Sequence, residues 1–460
     1  MVSGTLPIID QTAGSSVRRW TTGIFFAIAL LLGGGSMYAA PGATAIIQLA
    51  AVVALAVSVA TAGRIDIDRQ ARAAVALLVL VALLVVVQLV PLPANLWRSL
   101  PGHALAAGIR DLVGAGALPH ALSLDPDATR ATGLAMLPAA AAFVCGLYAS
   151  GNARRMLLLV IIAFAGFDLI LGMLQFATGG QFSLYPGSFH NGRALGVFAN
   201  RNQNAMLLII APLLVAAYLR AEPTGRWIAF GRPLVFGALI LFLVGVLATS
   251  SRAGLVLAAL SGIGVLVIVA SRGADFNRTR GTAAAVGLVV LIAVVSLIML
   301  SDNRVAQSVL TRFDTAFDDQ RFQIWPNAIY AAKQFMPWGS GLGTFDAVYR
   351  TLEPLDTVGE FYINHAHNEY LEIAIEAGIP GLILVGLFLI LFASRIFTEF
   401  VSRRGQVLNP VATAAIFTLL ILLLHALVEY PTRTPTLGVV FGFACALLYA
   451  PARPRRVAGG

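Results

Sequence analysis

A polar stretch in front of an apolar segment holds residues that can move a proton. His367 and Asn368 precede three glutamates and the run Gly378-Ile379-Pro380-Gly381; the glutamates are Glu369, Glu372 and Glu376. A histidine can accept a proton from a hydroxyl group near neutral pH. The glutamates recur at helical spacing and predict an acidic stripe, and the glycines and proline predict a break or bend in the helix behind it. Because charges are expensive at membrane depth, we expect this cluster to be functional.

Arginines in three other polar stretches could bind an anion. The Gly- and Asn-rich segment 185–204 lacks acidic residues and contains Arg193, Asn200, Arg201 and Asn202. Arg252 lies in a tight turn between two apolar runs. Guanidinium groups bind phosphates bidentately, so these residues fit a phosphate-bearing ligand. Solvated loop arginines, or an Arg252 that reaches the lipid headgroups, remain the alternatives.

A further arginine lies near an aromatic residue in the sequence. Arg321 and Trp325 are four positions apart and would share one face of a helix. The Gly-rich run 339–345 follows them.

The composition predicts a membrane protein that holds these stretches in place. The chain is 58% hydrophobic and 12% charged, whereas soluble domains are about 25% charged. About twelve apolar runs are long enough to cross roughly 30 Å of hydrocarbon as helices. They are 20–40, 44–62, 74–92, 133–149, 156–178, 204–219, 233–250, 253–271, 282–300, 370–394, 411–430 and 436–450. We predict an all-α polytopic integral membrane protein with one membrane domain over residues 1–460.

The basic residues predict the orientation of this domain. With both termini in the cytoplasm, 19 of the 31 Lys and Arg residues fall in the inside loops, as the positive-inside rule requires. The net charge of +9 is then a topology signal and indicates no nucleic-acid binding. The polar stretches then lie outside, with a large outside loop, 301–369, before the tenth span. A cleaved signal peptide at the first run is the alternative.

Several other features have simpler interpretations. Residues 94–112 predict a helix in the membrane interface, and residues 123–130 predict a turn followed by a capped helix. For the mid-span Asp168 we favour a hydrogen bond between helices, while the roles of His425 and Glu429, four apart, stay open. Cys145 and Cys445 lie in predicted spans and indicate neither a disulfide nor a thiolate metal site.

The motifs together resemble the O-antigen ligase and O-antigen polymerase superfamily of bacterial envelope glycosyltransferases. That family's ligase signature is His, then Asn or Ser, nine variable residues and Gly-x-x-Gly, which His367 to Gly381 match. The segment 196–202, Ser251-Arg252, Arg321 with Trp325, and the run 339–345 follow the family's order over roughly 120–440. We place the ligase-like core at 133–440.

The resemblance implies an activity and roles for single residues. Such enzymes transfer a glycan from undecaprenyl pyrophosphate to an acceptor hydroxyl at the periplasmic face of the inner membrane, without a metal or other cofactor. The acceptor is lipid A-core for a ligase, or a second lipid-linked glycan for a polymerase. His367, Arg252 and Arg321 correspond to catalytic residues. The predicted substrate-binding residues are Arg193, Arg201, Asn200, Asn202, Asn368, Glu369, Glu372, Glu376 and Trp325. Glu369, Glu372 or Glu376 could also orient the His367 imidazole, and the loop 301–369 would be the periplasmic catalytic loop.

Other functions remain open from the sequence. Arg201 stands where many ligases have proline or another residue, which favours a polymerase of O-antigen or exopolysaccharide. A transporter of lipid-linked glycans would need polar groups through the depth of the membrane, where this chain has one mid-span acid. A metal-assisted transferase would use His365, His367 and nearby glutamates. A structural scaffold would leave the polar cluster unexplained.

Overall fold

The computed structural model describes residues 11–35, 40–61, 68–180, 182, 184, 192–221, 231–270, 320–355, 358, 363–402 and 407–449. Eight helices in this part are long and apolar enough to cross a membrane, and two shorter apolar helices accompany them. This confirms an all-α polytopic membrane protein. The number of spans and their orientation stay predictions.

Fifteen α-helices make up the described part of the chain. They are α1 (Gln11–Leu32), α2 (Pro41–Thr61), α3 (Arg69–Leu89), α4 (Ala94–Arg98), α5 (Ala104–Leu112), α6 (Pro126–Tyr148), α7 (Gly151–Ala177), α8 (Arg201–Ala221), α9 (Arg232–Thr249), α10 (Arg252–Ala270), α11 (Gln320–Phe335), α12 (Phe345–Leu352), α13 (Glu369–Phe397), α14 (Pro410–His425) and α15 (Pro435–Tyr449). A π-helical turn, Thr398–Ser402, follows α13, and a 3₁₀ turn, Pro431–Arg433, precedes α15. Eleven of the twelve predicted spans overlap a helix, and the run 282–300 lies outside the described residues.

Side-chain caps explain where several of these helices begin. Asp68, Asp125, Ser150 and Asn409 each accept a hydrogen bond from a backbone amide in the first turn of α3, α6, α7 and α14, respectively. A cap satisfies amides that have no partner inside the helix. At residues 123–130 the predicted turn and capped helix start are both present.

The helices pack around α8, which is buried along most of its length. Its neighbours are α7, α9, α10 and α14. On the opposite flank α6 packs against α15, where Gly442 faces the backbone of Ala139 so closely that a side chain would collide with it. Small residues of this kind allow membrane helices to approach each other.

The region 91–124 departs from the predicted single interfacial helix. Two short helices, α4 and α5, are separated by a turn that contains Pro101 and Gly102 (φ 79°). Proline and a left-handed glycine both interrupt a helix, which explains the break. Two-residue strands, β1 (Pro91–Leu92) and β2 (His120–Ala121), pair antiparallel and close this region.

A second, smaller core supports the polar cluster. It joins α11, α12, Ala366 and the first turns of α13, with Phe345 and Tyr349 stacked at a ring distance of 5.3 Å. The run 339–345 docks on α13: Ser340 N donates to Ile375 O (2.9 Å), and Gly341 N donates to Glu376 O (2.9 Å). This core fixes α11 against the start of α13.

The predicted break in α13 is present at Gly378. This residue has φ 57° and ψ −148°, and a side chain there would collide with the Pro337 carbonyl oxygen. Ile379 N donates to that oxygen at 2.8 Å. The helix therefore kinks just behind its three glutamates and then continues to Phe397.

Candidate active site

A buried carboxylate, Glu429, lies at the centre of the polar cluster. Its residue is 1% exposed and belongs to the turn after α14. Its Oε1 accepts hydrogen bonds from Asn202 Nδ2 (2.6 Å) and Arg321 Nη2 (3.0 Å), while Oε2 lies 3.3 Å from His367 Nδ1. Burial alone would raise the pKa of Glu429, but its interactions with the neighbouring His367, His425 and Arg321 side chains hold that pKa well below its usual range. Glu429 is thus ionised at neutral pH and joins three separate parts of the chain.

The contact between His367 and Glu429 suggests how the imidazole is used. The two groups are within ion-pair distance, but His367 Nδ1 makes no hydrogen bond of regular geometry within the described residues. A carboxylate beside Nδ1 favours the tautomer that carries its proton there, which leaves Nε2 as the basic nitrogen. The His367 side chain is 28% exposed, so a ligand can reach the imidazole ring, whereas its partner Glu429 is buried.

The backbone of His367 is held in an unfavourable conformation. Its φ is 50°, in the left-handed region, which costs a residue other than glycine about 1–3 kcal/mol. Hydrogen bonds fix both neighbours: Glu372 Oε2 accepts from Ala366 N (3.1 Å), and Trp325 Nε1 donates to Ala366 O (3.1 Å). Asn368 caps α13 by accepting from Leu371 N at 3.1 Å. These contacts keep the ring pointed at Glu429 despite the strain.

The glutamates of α13 converge on Arg433, which the sequence analysis did not single out. Arg433 Nη2 lies 3.0 Å from Glu372 Oε1 and 3.3 Å from Glu376 Oε2. Glu369 accepts from the amide (3.0 Å) and hydroxyl (2.8 Å) of Thr432. Burial would lower the pKa of Arg433, yet the three carboxylates raise it above its ordinary value. The acidic stripe therefore shares one buried arginine inside the protein.

Burial changes the interpretation of two of these glutamates. Glu372 and Glu376 are both 0% exposed. Besides Arg433, Glu372 binds His365 Nδ1 (2.8 Å), and Glu376 accepts from Phe345 N (3.2 Å). Both side chains hold the 365–367 segment and the Gly-rich run in place, and their contact with substrate stays a prediction. The sequence also predicted one of these glutamates as the partner of the His367 imidazole, whereas the structure places Glu429 beside it.

Tyr430 connects the two histidines to the loop before α8. Its ring lies 4.2 Å from that of His365 and 5.1 Å from that of His367, and its hydroxyl hydrogen-bonds Asn200. Burial raises the pKa of this phenol, which stays protonated at neutral pH. Tyr430 therefore limits the movement of both imidazoles.

The loop before α8 is fixed to α7 by two buried polar residues. Gln175 Oε1 accepts from Leu195 N (3.0 Å) and Gly196 N (2.8 Å). Asp168 Oδ1 accepts from Val197 N at 2.7 Å. Asp168 thus binds a loop backbone, whereas the sequence favoured a bond between helices. The position of Asn200 to Asn202 beside Glu429 depends on these two contacts.

The remaining predicted arginines surround this loop. Asn202 Oδ1 accepts from Ser251 Oγ (2.8 Å), and the next residue, Arg252, begins α10 as Arg201 begins α8. Helix N-termini carry partial positive charge, so both ends add to the guanidinium groups. Arg193 is partly buried in the same loop, and that burial lowers its pKa. Hydrogen bonds from Ser251 to Asn202 and from Asn202 to Glu429 connect the start of α10 to the carboxylate beside His367.

Two histidines near the site differ in their surroundings. His365 and His367 pair with different carboxylates, and each carboxylate also binds an arginine. Among the described residues, no group of three His, Cys, Asp or Glu side chains is arranged to hold a metal ion. His425 is 0% exposed and interacts electrostatically with Glu429 and Arg321.

Four site residues were missed or left open by sequence reasoning: His365, Glu429, Tyr430 and Arg433. The available signal was the polar run 429–433 between two strongly apolar helices. Such a run at membrane depth is costly in the same way as the histidine motif.

The fold and the cluster define a polytopic α-helical membrane protein that holds a buried cluster of histidine, arginine and glutamate side chains. A family model described as O-antigen ligase matches residues 237–386, which include Arg252, Arg321, His367 and the kinked start of α13. The match confirms the resemblance to the O-antigen ligase superfamily over this range, which is about a third of the chain. No curated protein matches the chain. The matched range lies inside the predicted 133–440 core, whose outer bounds stay a prediction.

Proposed function

We propose that the protein is an inverting, metal-independent glycosyltransferase of the O-antigen ligase type. It would move a glycan from undecaprenyl pyrophosphate to a hydroxyl of lipid A-core at the periplasmic face of the bacterial inner membrane. Family membership supports a membrane glycosyltransferase-like enzyme acting on lipid-linked glycans. The single observation that carries the mechanism is the buried Glu429 carboxylate between His367 and Arg321.

In this mechanism His367 is the general base. Glu429 holds the proton on Nδ1, and Nε2 removes the proton of the acceptor hydroxyl as its oxygen attacks the anomeric carbon. The bond from that carbon to the pyrophosphate oxygen breaks, and its electron pair leaves with the pyrophosphate. One direct displacement inverts the configuration at the anomeric carbon. The ionised Glu429 also stabilises the imidazolium that forms.

Arg193, Arg252 and Arg321 would bind the pyrophosphate and stabilise its developing charge. A guanidinium has five N–H donors, so the contact of Arg321 with Glu429 is compatible with a second contact to an anion. Arg201, Asn200 and Asn202 would line the donor side. Trp325, Asn368 and Glu369 are partly buried and would shape the acceptor side.

The base assignment is tested with membranes that contain wild-type protein or His367→Ala. Transfer of lipid-linked glycan to lipid A-core is followed by gel shift, with His120→Ala as the matched control, since His120 lies in β2. We expect His367→Ala to lower transfer by about 10²–10⁴-fold at normal protein abundance. Wild-type transfer by this variant would overturn the assignment.

A polymerase that joins lipid-linked repeat units is the second candidate. Many ligases have another residue at the position of Arg201, which begins α8 beside Asn202. This departure from the ligase pattern favours a polymerase. Gene deletion separates the two candidates. Loss of all capped lipopolysaccharide indicates a ligase; loss of long chains with a single repeat still attached, or of secreted polysaccharide, indicates a polymerase.

A further inference from the structure

His365 forms a second histidine–carboxylate pair beside the one that contains His367. Its Nδ1 lies 2.8 Å from Glu372 Oε1, in a hydrogen bond of regular geometry. Glu372 is 0% exposed and also pairs with Arg433. An ionised carboxylate only accepts hydrogen bonds, so Nδ1 carries the proton of this contact. The mechanism proposed above uses His367 as the base and leaves the second imidazole without a chemical role.

The Nε2 atom of His365 is available to a ligand. It makes no hydrogen bond within the described residues, and the side chain is 19% exposed. In the same part of the chain, the buried polar atoms that lack a partner include none from His365. Nε2 therefore reaches solvent, and a ligand can approach it while Nδ1 stays bound to Glu372.

His365 and His367 lie on the same side of their segment. Ala366 between them is 0% exposed and belongs to the second core. Both imidazoles lie against the ring of Tyr430, at centroid distances of 4.2 Å for His365 and 5.1 Å for His367. A ligand bound at His367 Nε2 is therefore close to His365 as well.

The surroundings of His365 suit a hydroxyl group better than a phosphate. Glu369, Glu372 and Glu376 all interact with the single guanidinium of Arg433. Because these carboxylates share that charge, the cluster offers a phosphate no spare positive charge. A hydroxyl both donates and accepts hydrogen bonds, so it pairs with an imidazole nitrogen in either protonation state. This side of the site therefore fits a sugar, and the arginine-rich loop before α8 fits the pyrophosphate.

From this arrangement we propose that His365 binds the acceptor glycan. Its Nε2 hydrogen-bonds a second hydroxyl of the sugar whose attacking hydroxyl meets His367. The inference rests on the proposed glycosyl transfer and names the residue that orients the acceptor. Proton removal and acceptor binding then depend on different imidazoles, and acceptors that lack the second hydroxyl bind less well.

Two substitutions of His365 separate the contributions of its ring nitrogens. The side-chain amide of asparagine lies near the position of Nδ1 and can still donate to Glu372, but asparagine has no atom at the position of Nε2. The amide of glutamine reaches the position of Nε2 and gives up the contact with Glu372. His120→Asn is the matched control, since the His120 ring packs on Trp97 in the region of β2.

Glycan transfer in membranes is measured at fixed donor while the acceptor is titrated, in one series with lipid A-core and in another with lipid-linked repeat units. We expect His365→Asn to raise the acceptor KM about tenfold, the loss expected for one hydrogen bond, with kcat within about threefold of wild type. His365→Gln should raise KM less, and His120→Asn should leave both constants unchanged. Thermal unfolding of His365→Asn in detergent should match wild type, because the contact with Glu372 is kept.

The ranking of the two variants decides between binding and support. An equal or larger KM increase in His365→Gln would show that the contact with Glu372 is what matters, and would overturn the inference. A fall in kcat at unchanged acceptor KM, or wild-type kinetics in His365→Asn, would also overturn it. Absence of wild-type transfer in both acceptor series would instead refute the proposed function, and this role with it.

Discussion

Replacing Glu429 with glutamine removes one charge from the centre of the candidate active site and keeps its shape. Glutamine can still accept from Asn202 and Arg321, but it cannot balance the charge of Arg321 or of a protonated His367. Orienting carboxylates of histidine bases are worth about 10⁴-fold in rate in the well-studied Ser-His-Asp triad. His367 Nδ1 lies 3.3 Å from Glu429 without a regular hydrogen bond, so we expect a smaller loss, of about 10²–10³-fold.

The same substitution should lower stability. Leaving a fully buried charge without its partner costs about 3–5 kcal/mol. The Arg321 side chain is 20% exposed, and glutamine keeps one acceptor, so we expect a loss of about 2 kcal/mol. Glu353→Gln is the matched control, because Glu353 follows α12 outside the cluster. Transfer in membranes gives the rate, and thermal unfolding in detergent gives the stability.

The pH dependence gives an independent check. The folded pKa of Glu429 is depressed below the unfolded value of about 4.3. Its ionised form therefore contributes stability that is fully present above about pH 5 and is lost as pH falls through the folded pKa. The difference between wild type and Glu429→Gln should be present at pH 7 and shrink below pH 4. If Glu429→Gln kept more than a third of wild-type transfer, or the two proteins unfolded alike at pH 7, the reasoning would be refuted.

Three further outcomes follow from the site and its support. Arg433→Met leaves the buried Glu372 and Glu376 without their cation, so we expect a loss of about 3–5 kcal/mol in thermal unfolding, partly restored by Arg433→Lys; an unchanged melting temperature would contradict the ion-pair assignment. Gly378→Ala should destabilise the protein by more than about 1 kcal/mol, because φ is 57° and the new Cβ meets the Pro337 carbonyl. Gly386→Ala in the same helix, where a Cβ meets no described atom within 4 Å, should be neutral or stabilising by about 0.5–1 kcal/mol, and equal effects of the two substitutions would count against the kink. Tyr430→Leu should lower transfer by loosening both imidazoles, whereas Tyr430→Phe, which loses the contact with Asn200 alone, should keep most of it; a gel-shift assay that ranks them the other way would assign the role to the hydroxyl.

Elements with a local cause were predicted well from the sequence. Apolar runs located eleven helices because each run must bury its backbone bonds within itself in a membrane. The Gly378-x-Pro380-Gly381 pattern predicted the break in α13, and Asp125 predicted the start of α6. The interfacial segment 94–112 was predicted less well, since apolar content does not show where Pro101 and Gly102 divide it.

Partners distant in sequence could not be predicted in the same way. Asp168 was expected to join two helices, but its acceptor oxygen meets the backbone of Val197, 29 residues away. The glutamate stripe looked like a set of candidate partners for the histidine, but those side chains point towards Arg433. Pairings of this kind depend on how the helices pack, which no local pattern encodes.

The sequence alone determined that the chain is a helical membrane protein, that its polar chemistry collects around His367 and several arginines, and that these residues resemble a glycosyltransferase family. Hydrophobic period, motif spacing and the cost of charge in a membrane are local properties, which a sequence displays directly. Only the tertiary structure decided that Glu429, 62 residues after His367, is the carboxylate at its ring and that Arg433 pairs with Glu372 and Glu376. Ion pairs need atoms within about 4 Å of each other, and packing the end of α14 beside α8, α11 and α13 brings those atoms together.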